Sequence, residues 1–295
     1  MMPFVFAVKR DARLKAICVG YITKEKNPIV QFFTRRAIIL GGPCLADDCT
    51  SEELSLLLSA LRSQLSTQAI YIETRNYHDY SHWKETFIEA GLDYKPHLNF
   101  HFDCTDKDTL WQKLSDTRKR QIKKANKSGA EILTSQDVIT EQDIREWYAI
   151  LIQVYKKKVK TPLFPVEFFL DFYRRQVGRY ILVRYSNRII GGIMAPILKD
   201  KCIYEWYVCG LDADYKDQYP SVMATWAVME YANEHAIPMF DIMGAGKPDI
   251  PYGVRDFKAE FGGRLVEYGR FLHICKPLLY RIGSFGVRLL KSSNR

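Results

Sequence analysis

The residues best able to do chemistry lie between Phe240 and Tyr268, in the segment FDIMGAGKPDIPYGVRDFKAEFGGRLVEY. A strand-like run ends in Asp241, and a Gly-x-Gly turn follows at Gly244 and Gly246. Glycines there let backbone N–H groups come close to a ligand, and Lys247 adds a charge beside them. Phe257 and Lys258 follow, ahead of a Phe-Gly-Gly run. A lysine so placed could reach a phosphate or a developing oxyanion. The plainer alternative is a turn followed by an exposed lysine at the end of a helix or strand. A carboxylate, Glu205, sits between Tyr204 and Trp206 on another strand-like run, where it could accept a proton or pair with an arginine. No Ser-His-Asp or Cys-His arrangement stands out, so direct attack by one substrate on another is simpler than a covalent enzyme intermediate.

The second concentration of function-bearing residues is basic. A helix expected over about 108–128 carries an apolar stripe of Trp111, Leu114, Ile122 and Ala125 and a separate face of Arg120, Lys123, Lys124 and Lys127. Such a strip binds phosphates by charge, without sequence specificity, or is simply a solvated face. Arg118 falls on the apolar stripe, where a guanidinium needs either a structural carboxylate or a bound phosphate. Lys156–Lys158 with Lys160 form a second basic stretch, in KKKVKTPLFP, read as a loop.

The chain has 295 residues, ample for two medium domains, and a net charge of +9, which points to an anionic partner such as nucleic acid or a membrane face. Its seven cysteines are odd in number and contain no C-x-x-C pair, so neither a disulfide framework nor a zinc site is expected. His78/His82 and His97/His101 lack a third ligand, and no metal is expected. A reducing cytoplasm is the simplest compartment. No apolar stretch approaches ~20 residues, and MMPFVFAVKR reads as a first strand rather than a signal peptide.

These residues need positioning elements. Short strands are expected at 4–8, 14–22, 37–40, 69–73 and 97–103, around a helix at 51–65 capped by Ser51 and a second at 81–90 ended by Gly91. An amphipathic helix bears Ile144, Tyr148, Leu151, Ile152 and Tyr155, and another opens at Pro165. Strands at 180–184, 189–198 and 202–209, joined by tight turns, predict an antiparallel meander. A helix over 220–236 packs on it, then come a strand at 239–242, the glycine loop, a strand at 264–274 and a tail helix from Pro277. The tail puts Leu278, Ile282, Phe285 and Leu289 on one stripe, with Arg281, Arg288, Lys291 and Arg295 to one side. It fits either docking on the first domain or peripheral contact with an anionic inner membrane surface.

Meander, helix, strand, glycine loop and strand is the order of an acetyltransferase-like (GNAT) half. The wording also resembles the FemABX family, aminoacyltransferases that add bridge residues to peptidoglycan precursors, and the wider FemAB-like branch of the GNAT superfamily. The resemblance runs through GGPCL, IYIETRN, LWQKLSDTRKRQIKKANKSGAEI, PVEFFLDFY, IIGGIMA, IYEWYVCGLD and the two segments from Tyr219 to Phe271. It implies an α/β (α+β) fold of two GNAT-like domains side by side, each a mixed, mostly antiparallel sheet with flanking helices. The expected domains are 1–133 and 134–270, with the tail 271–295 packing back on the first. It further implies that Lys258 lies near substrate phosphate and the transferred acyl group, and that Tyr207, or else Tyr204, lines the same site. The implied donor is an aminoacyl-tRNA, the acceptor an amine on a nucleotide- or lipid-linked muramyl peptide, and no cofactor is required. The coiled-coil hairpin that some members insert for tRNA contact has no room here.

On this reading Lys258 is an electrostatic stabiliser, Asp241 or Glu205 a proton acceptor, and Arg118, Arg120 and Lys123 bind the anionic substrate. Phe257, Gly244, Gly246 and Tyr204 complete the expected binding set. A GNAT enzyme using acyl-CoA carries a glycine-rich pyrophosphate turn before its main helix. Here that position reads YKDQYPSVMATW, with Pro220 and no glycine, which argues against ordinary CoA binding in the second half. An acyl-CoA or acyl-carrier-protein N-acyltransferase is the second expectation. A non-catalytic RNA-binding protein is the third.

Overall fold

The computed structural model describes residues 1–23, 28–135, 138–159 and 163–292. Lys160 and Arg295, and the side chains of Lys158, Phe285, Arg288, Leu289 and Lys291, lie outside the described residues. The chain divides into two compact units, Met1–Leu98 with Glu267–Arg295 and Asn99–Val266. These limits differ from the boundary near 133 expected from sequence, because residues 99–103 of the strand Leu98–Asp103 and the basic helical region after it belong to the second unit.

The first unit starts with β1 (Met2–Arg10) and β2 (Arg13–Ile22), an antiparallel hairpin. Its turn residues Asp11 and Ala12 both have positive φ, the backbone hand that matches the twist of a hairpin. Helix α1 (Pro28–Thr34), β3 (Arg36–Gly41), β4 (Cys44–Leu45), α2 (Ser51–Leu65), β5 (Tyr71–Asn76), α3 (Lys84–Glu89) and β6 (Asp93–Lys95) follow. The α2 cap is Thr50 rather than Ser51. Its hydroxyl accepts from Glu53 N at 3.3 Å, and the Glu53 carboxylate accepts from Thr50 N at 2.9 Å. Leu54, Leu57, Leu58, Leu61 and Leu65 of α2 are buried against Val8, Ile39, Ile72 and Phe271 in one core. The sheet order is β1-β2-β3-β5-β15-β6, where β15 is Arg270–Ile274, and α10 (Pro277–Ser292) closes the unit.

The second unit contains β7 (Leu98–Asp103), α4 (Lys107–Lys113), α5 (Asp116–Lys127), β8 (Glu131–Leu133), α6 (Glu141–Val154), α7 (Val166–Arg175), β9 (Gly178–Tyr185) and β10 (Arg188–Leu198). It continues through β11 (Cys202–Tyr204), β12 (Tyr207–Gly210), α8 (Pro220–Glu234), β13 (Met239–Gly244), α9 (Gly253–Ala259) and β14 (Arg264–Glu267). The sheet runs β14-β7-β13-β11-β10-β9-β8, with β12 on β10. Helices α6 and α7 bury Trp147, Leu151 and Phe169 against Tyr180, Leu182 and Met194. Alternation turns Val183 to the opposite face, where its register partner Gly191 leaves room for Pro220 of α8; a Cβ on Gly191 would stand 2.9 Å from the Pro220 Cβ.

Three elements expected as continuous are broken. The single helix over 108–128 is α4 and α5, because Leu114 and Ser115 are extended and the Ser115 hydroxyl caps α5 by accepting from Arg118 N at 3.2 Å. The strand over 202–209 divides into β11 and β12 at Glu205–Trp206. The strand over 264–274 becomes β14 and β15, which lie in different sheets; Gly269 at the break has φ +63°. With these corrections, the architecture is the mixed α/β pair of sheets with flanking helices that the sequence suggests.

Candidate active site

The break at Glu205–Trp206 creates the site. Strand β11 runs parallel to β13, pairing Cys202, Ile203 and Tyr204 with Met239, Phe240 and Asp241. The last rung is Glu205 N donating to Asp241 O at 2.9 Å. Beyond it the strands part. Among the described residues β12 pairs only with β10, Gly191–Met194 against Tyr207–Gly210. Strand β13 stays with β7 through a bulge between Asp241 and Gly244, where Met243 takes φ +62°. Parting strips carbonyls of β13 of their ladder partners, and a buried carbonyl left so is costly.

Lys258 fills that gap. It sits in the last turn of α9, is 6% exposed, and donates to Ile242 O and, at 3.2 Å, to Gly244 O. Its ammonium also lies 3.5 Å from Glu205 Oε1, a carboxylate that is itself buried. An ammonium has three donors, and all three point at acceptors of this site. Lys258 is therefore not the exposed lysine of the plainer sequence alternative. Burial pushes the Glu205 carboxyl up to about 7; Lys258 pulls against that shift and Asp241 adds a little to it.

The other expected residues take different structural parts. Asp241 is fully buried, accepts from Met243 N at 2.7 Å and Asn99 Nδ2 at 3.4 Å, and has His101 Nε2 at 3.4 Å. Its oxygens are thereby engaged in holding the bulge. Tyr204 is buried on β11 beside Glu205. Tyr207 opens β12 and packs edge-on against Phe169, centroids 5.1 Å apart, in the α6–α7 core. Gly244 contributes its carbonyl rather than its N–H. Gly246 has φ +81°, and a Cβ there would come within 2.9 Å of the Tyr252 ring, so glycine is needed to close the loop.

Arg118 is resolved in favour of structure. It is buried, its Nε lies 3.4 Å from Glu260, Nη1 donates to Gln121 Oε1 at 2.6 Å, and its guanidinium stands 4.3 Å over the Phe257 ring. Phe257 thus anchors α9 to α5. Arg120 and Lys123 lie on the other face of α5 and make weak contacts only, Arg120 with Thr117 at 3.5 Å and Lys123 over Trp111 at 5.8 Å. Among the described residues no cluster of His, Cys, Asp or Glu could hold a metal ion, and no helix is long and apolar enough to cross a membrane.

One feature carried no sequence signal. At the start of α8, the place a pyrophosphate takes in an acyl-CoA site, Asp212 accepts from Ser221 N at 3.0 Å and from Ser221 Oγ at 2.5 Å. Only the fold brings a carboxylate from the β12–α8 connection onto that helix end.

Residues 112–259, half of the chain, match the family of acetyltransferase (GNAT) domains. The chain belongs to that family. It is a GNAT acyltransferase, and its matched segment ends one residue past Lys258. No curated protein matches the chain. Among solved structures, FemX shares the fold with a TM-score of 0.68 at 14% identity, covering 95% of this chain and 90% of that one. The C-terminal domain of a putative lysylphosphatidylglycerol synthetase from Agrobacterium fabrum follows with a TM-score of 0.61 and 13% identity, covering 88% and 80%. A tandem GNAT protein from the clavulanic acid biosynthesis pathway gives 0.55 at 8% identity, covering 92% and 83%. At these identities the likeness is one of fold, and in that respect the FemABX resemblance of the sequence holds.

Proposed function

We propose that this GNAT acyltransferase moves an acyl or aminoacyl group onto an amine of a cell-envelope precursor, in the manner of the FemABX family. The observation that carries the reading is the buried Glu205–Lys258 pair where β12 and β13 part, with the Glu205 carboxyl near neutrality. An amine nucleophile must lose a proton during attack, and a base with an affinity near the working pH takes it most effectively. The acceptor nitrogen forms a bond to the acyl carbon, and the C–O bond of an ester donor, or the C–S bond of a thioester, breaks. The proton shed by nitrogen passes to Glu205 and on to the leaving oxygen or sulfur. Lys258 holds Glu205 and the parted strand in place and keeps a positive charge beside the developing oxyanion.

Two features support the choice of donor. The α8 N-terminus is already occupied by Asp212, which disfavours a CoA pyrophosphate there. The exposed face of α5, with Arg120, Lys123 and Lys127, suits a polyanionic donor such as aminoacyl-tRNA. FemX and the putative lysylphosphatidylglycerol synthetase support the same direction by fold. No cofactor or metal takes part, and the setting is cytoplasmic, at or near the membrane that carries envelope precursors.

The test is transfer of radiolabel from charged tRNA, acyl-CoA or acyl-carrier protein to muramyl-peptide precursors, with wild type, Glu205→Gln and Lys258→Ala side by side. Label should pass from charged tRNA and be lost in Glu205→Gln. Equal transfer by wild type and Glu205→Gln would overturn the assignment of the base, and transfer from acyl-CoA alone would overturn the donor.

A further inference from the structure

The first unit carries a charged cluster that acyl transfer does not use. Strand alternation puts Tyr71, Glu73 and Arg75 of β5 on the face away from α2, whose core takes Ile72 instead. Register sets Arg36 of β3 beside Tyr71 and Arg270 of β15 beside Arg75. Glu73 accepts from Arg75 Nε at 2.9 Å and from Arg270 Nη1 at 3.0 Å, while Arg270 Nη2 donates to His97 Nε2 at 2.8 Å. Two guanidiniums therefore share one carboxylate, and a third, that of Arg36, belongs to the same face beside Tyr71. Among the described residues Arg75 and Arg270 form ion pairs with Glu73 alone, and Arg36 forms none. The Nε atoms of Arg36 and Arg270 are also buried without a hydrogen-bond partner among the described residues.

A half-buried excess of two positive charges is costly unless an anion compensates it. Burial and the neighbouring Arg75 both pull the Arg270 pKa down, with Glu73 opposing them. The Arg75 and Arg270 side chains remain 35% and 26% exposed, so the cluster is open to a ligand at that end. At the other end Tyr280 of α10 stands edge-on to Tyr71, centroids 5.5 Å apart, and bounds it. Planar guanidiniums with free donors match the oxygens of a phosphoryl group, and its two negative charges match the excess. We propose that this face of the first unit binds a phosphoryl group of a substrate or lipid. The site shares no residue with the Glu205–Lys258 pair and stands whether or not that pair is the base of an acyl transfer.

Calorimetric titration of the full chain with inorganic phosphate and pyrophosphate tests a soluble ligand, and co-sedimentation with phosphatidylglycerol vesicles tests a lipid headgroup. Binding should saturate in one of these arms. It should weaken about tenfold or more in Arg75→Gln, which removes one charged donor pair from the site. It should tighten in Glu73→Gln, because the competing carboxylate is gone, and stay unchanged in Lys199→Gln, an exposed residue of the β10–β11 turn. Circular dichroism establishes that each variant is folded, and Arg75→Gln is preferred to Arg270→Gln because its side chain is the more exposed. Absence of saturable binding in both arms would overturn the site. So would binding that Arg75→Gln leaves intact, or that a folded Glu73→Gln weakens.

Discussion

Replacing Lys258 with methionine separates its structural from its electrostatic role, because the two respond differently to pH. The substitution keeps much of the side-chain volume and removes the ammonium that Ile242 O, Gly244 O and Glu205 share. Each buried carbonyl left without a donor costs ~1–3 kcal/mol, so the two set a pH-independent loss of about 2 kcal/mol or more. Glu205 adds a part that depends on pH. Its carboxyl stands at about 7 although Lys258 lowers it, so the variant's carboxyl stands higher. A carboxyl whose folded pKa exceeds its unfolded one binds more protons when folded, so stability falls as pH rises between the two values. In wild type that fall ends near pH 7; in Lys258→Met it continues upward. The difference between the two proteins should be smallest near pH 6 and widen above pH 7 by up to ~1.4 kcal/mol per pH unit. Urea unfolding followed by circular dichroism at pH 6, 7, 8 and 9 measures it. A gap constant with pH would refute the coupling. So would the same widening in a Glu205→Gln background, where no carboxyl remains to titrate.

Four further outcomes follow from the geometry. Glu205→Gln should lower the rate of acyl transfer by ~10²–10⁴, the usual worth of a general base, while its stability above pH 7 equals or exceeds that of wild type; single-turnover rates and urea midpoints measure the two. The wild-type rate should rise with pH through an apparent pKa near 7, and in Lys258→Met any residual activity should show that limb displaced upward. Asp212→Ala should cost ~1 kcal/mol through loss of the α8 cap, read as a lowered urea midpoint. Arg118→Met should lower the melting temperature and leave RNA affinity unchanged, whereas Arg120→Ala and Lys123→Ala should weaken RNA binding, each reducing its salt slope by about one; fluorescence anisotropy at several salt concentrations distinguishes them.

The periodic parts of the fold were legible. The leucine stripe of α2, the β9–β10 meander and the buried α8 each follow from residue spacing that the structure repeats. What spacing cannot register is a break made by tertiary pairing. The run from Cys202 to Cys209 reads as one strand, because its parting at Glu205 depends on β13 leaving for β7. Lys258 was singled out by its family-like setting, but its burial was invisible, since α9 is too short to show a face and its acceptors are backbone carbonyls. Arg118 was legible as an anomaly on an apolar stripe. Its partner Glu260 lies far along the chain and could not be chosen from among the other carboxylates.

The division of the chain has a consequence for the order of folding. The second unit is one continuous stretch, Asn99–Val266, whereas the first is assembled from both ends of the sequence. Strand β15 lies inside the first sheet, between β5 and β6, and its Arg270 reaches Glu73 across 197 positions. During synthesis the second unit can close on contacts within its own stretch, while the first holds an open slot between β5 and β6 until residues 270–274 leave the ribosome. Truncation ahead of residue 270 would therefore remove an interior strand rather than a loose end, and nascent chains stopped near residue 266 should present two unsatisfied strand edges to chaperones.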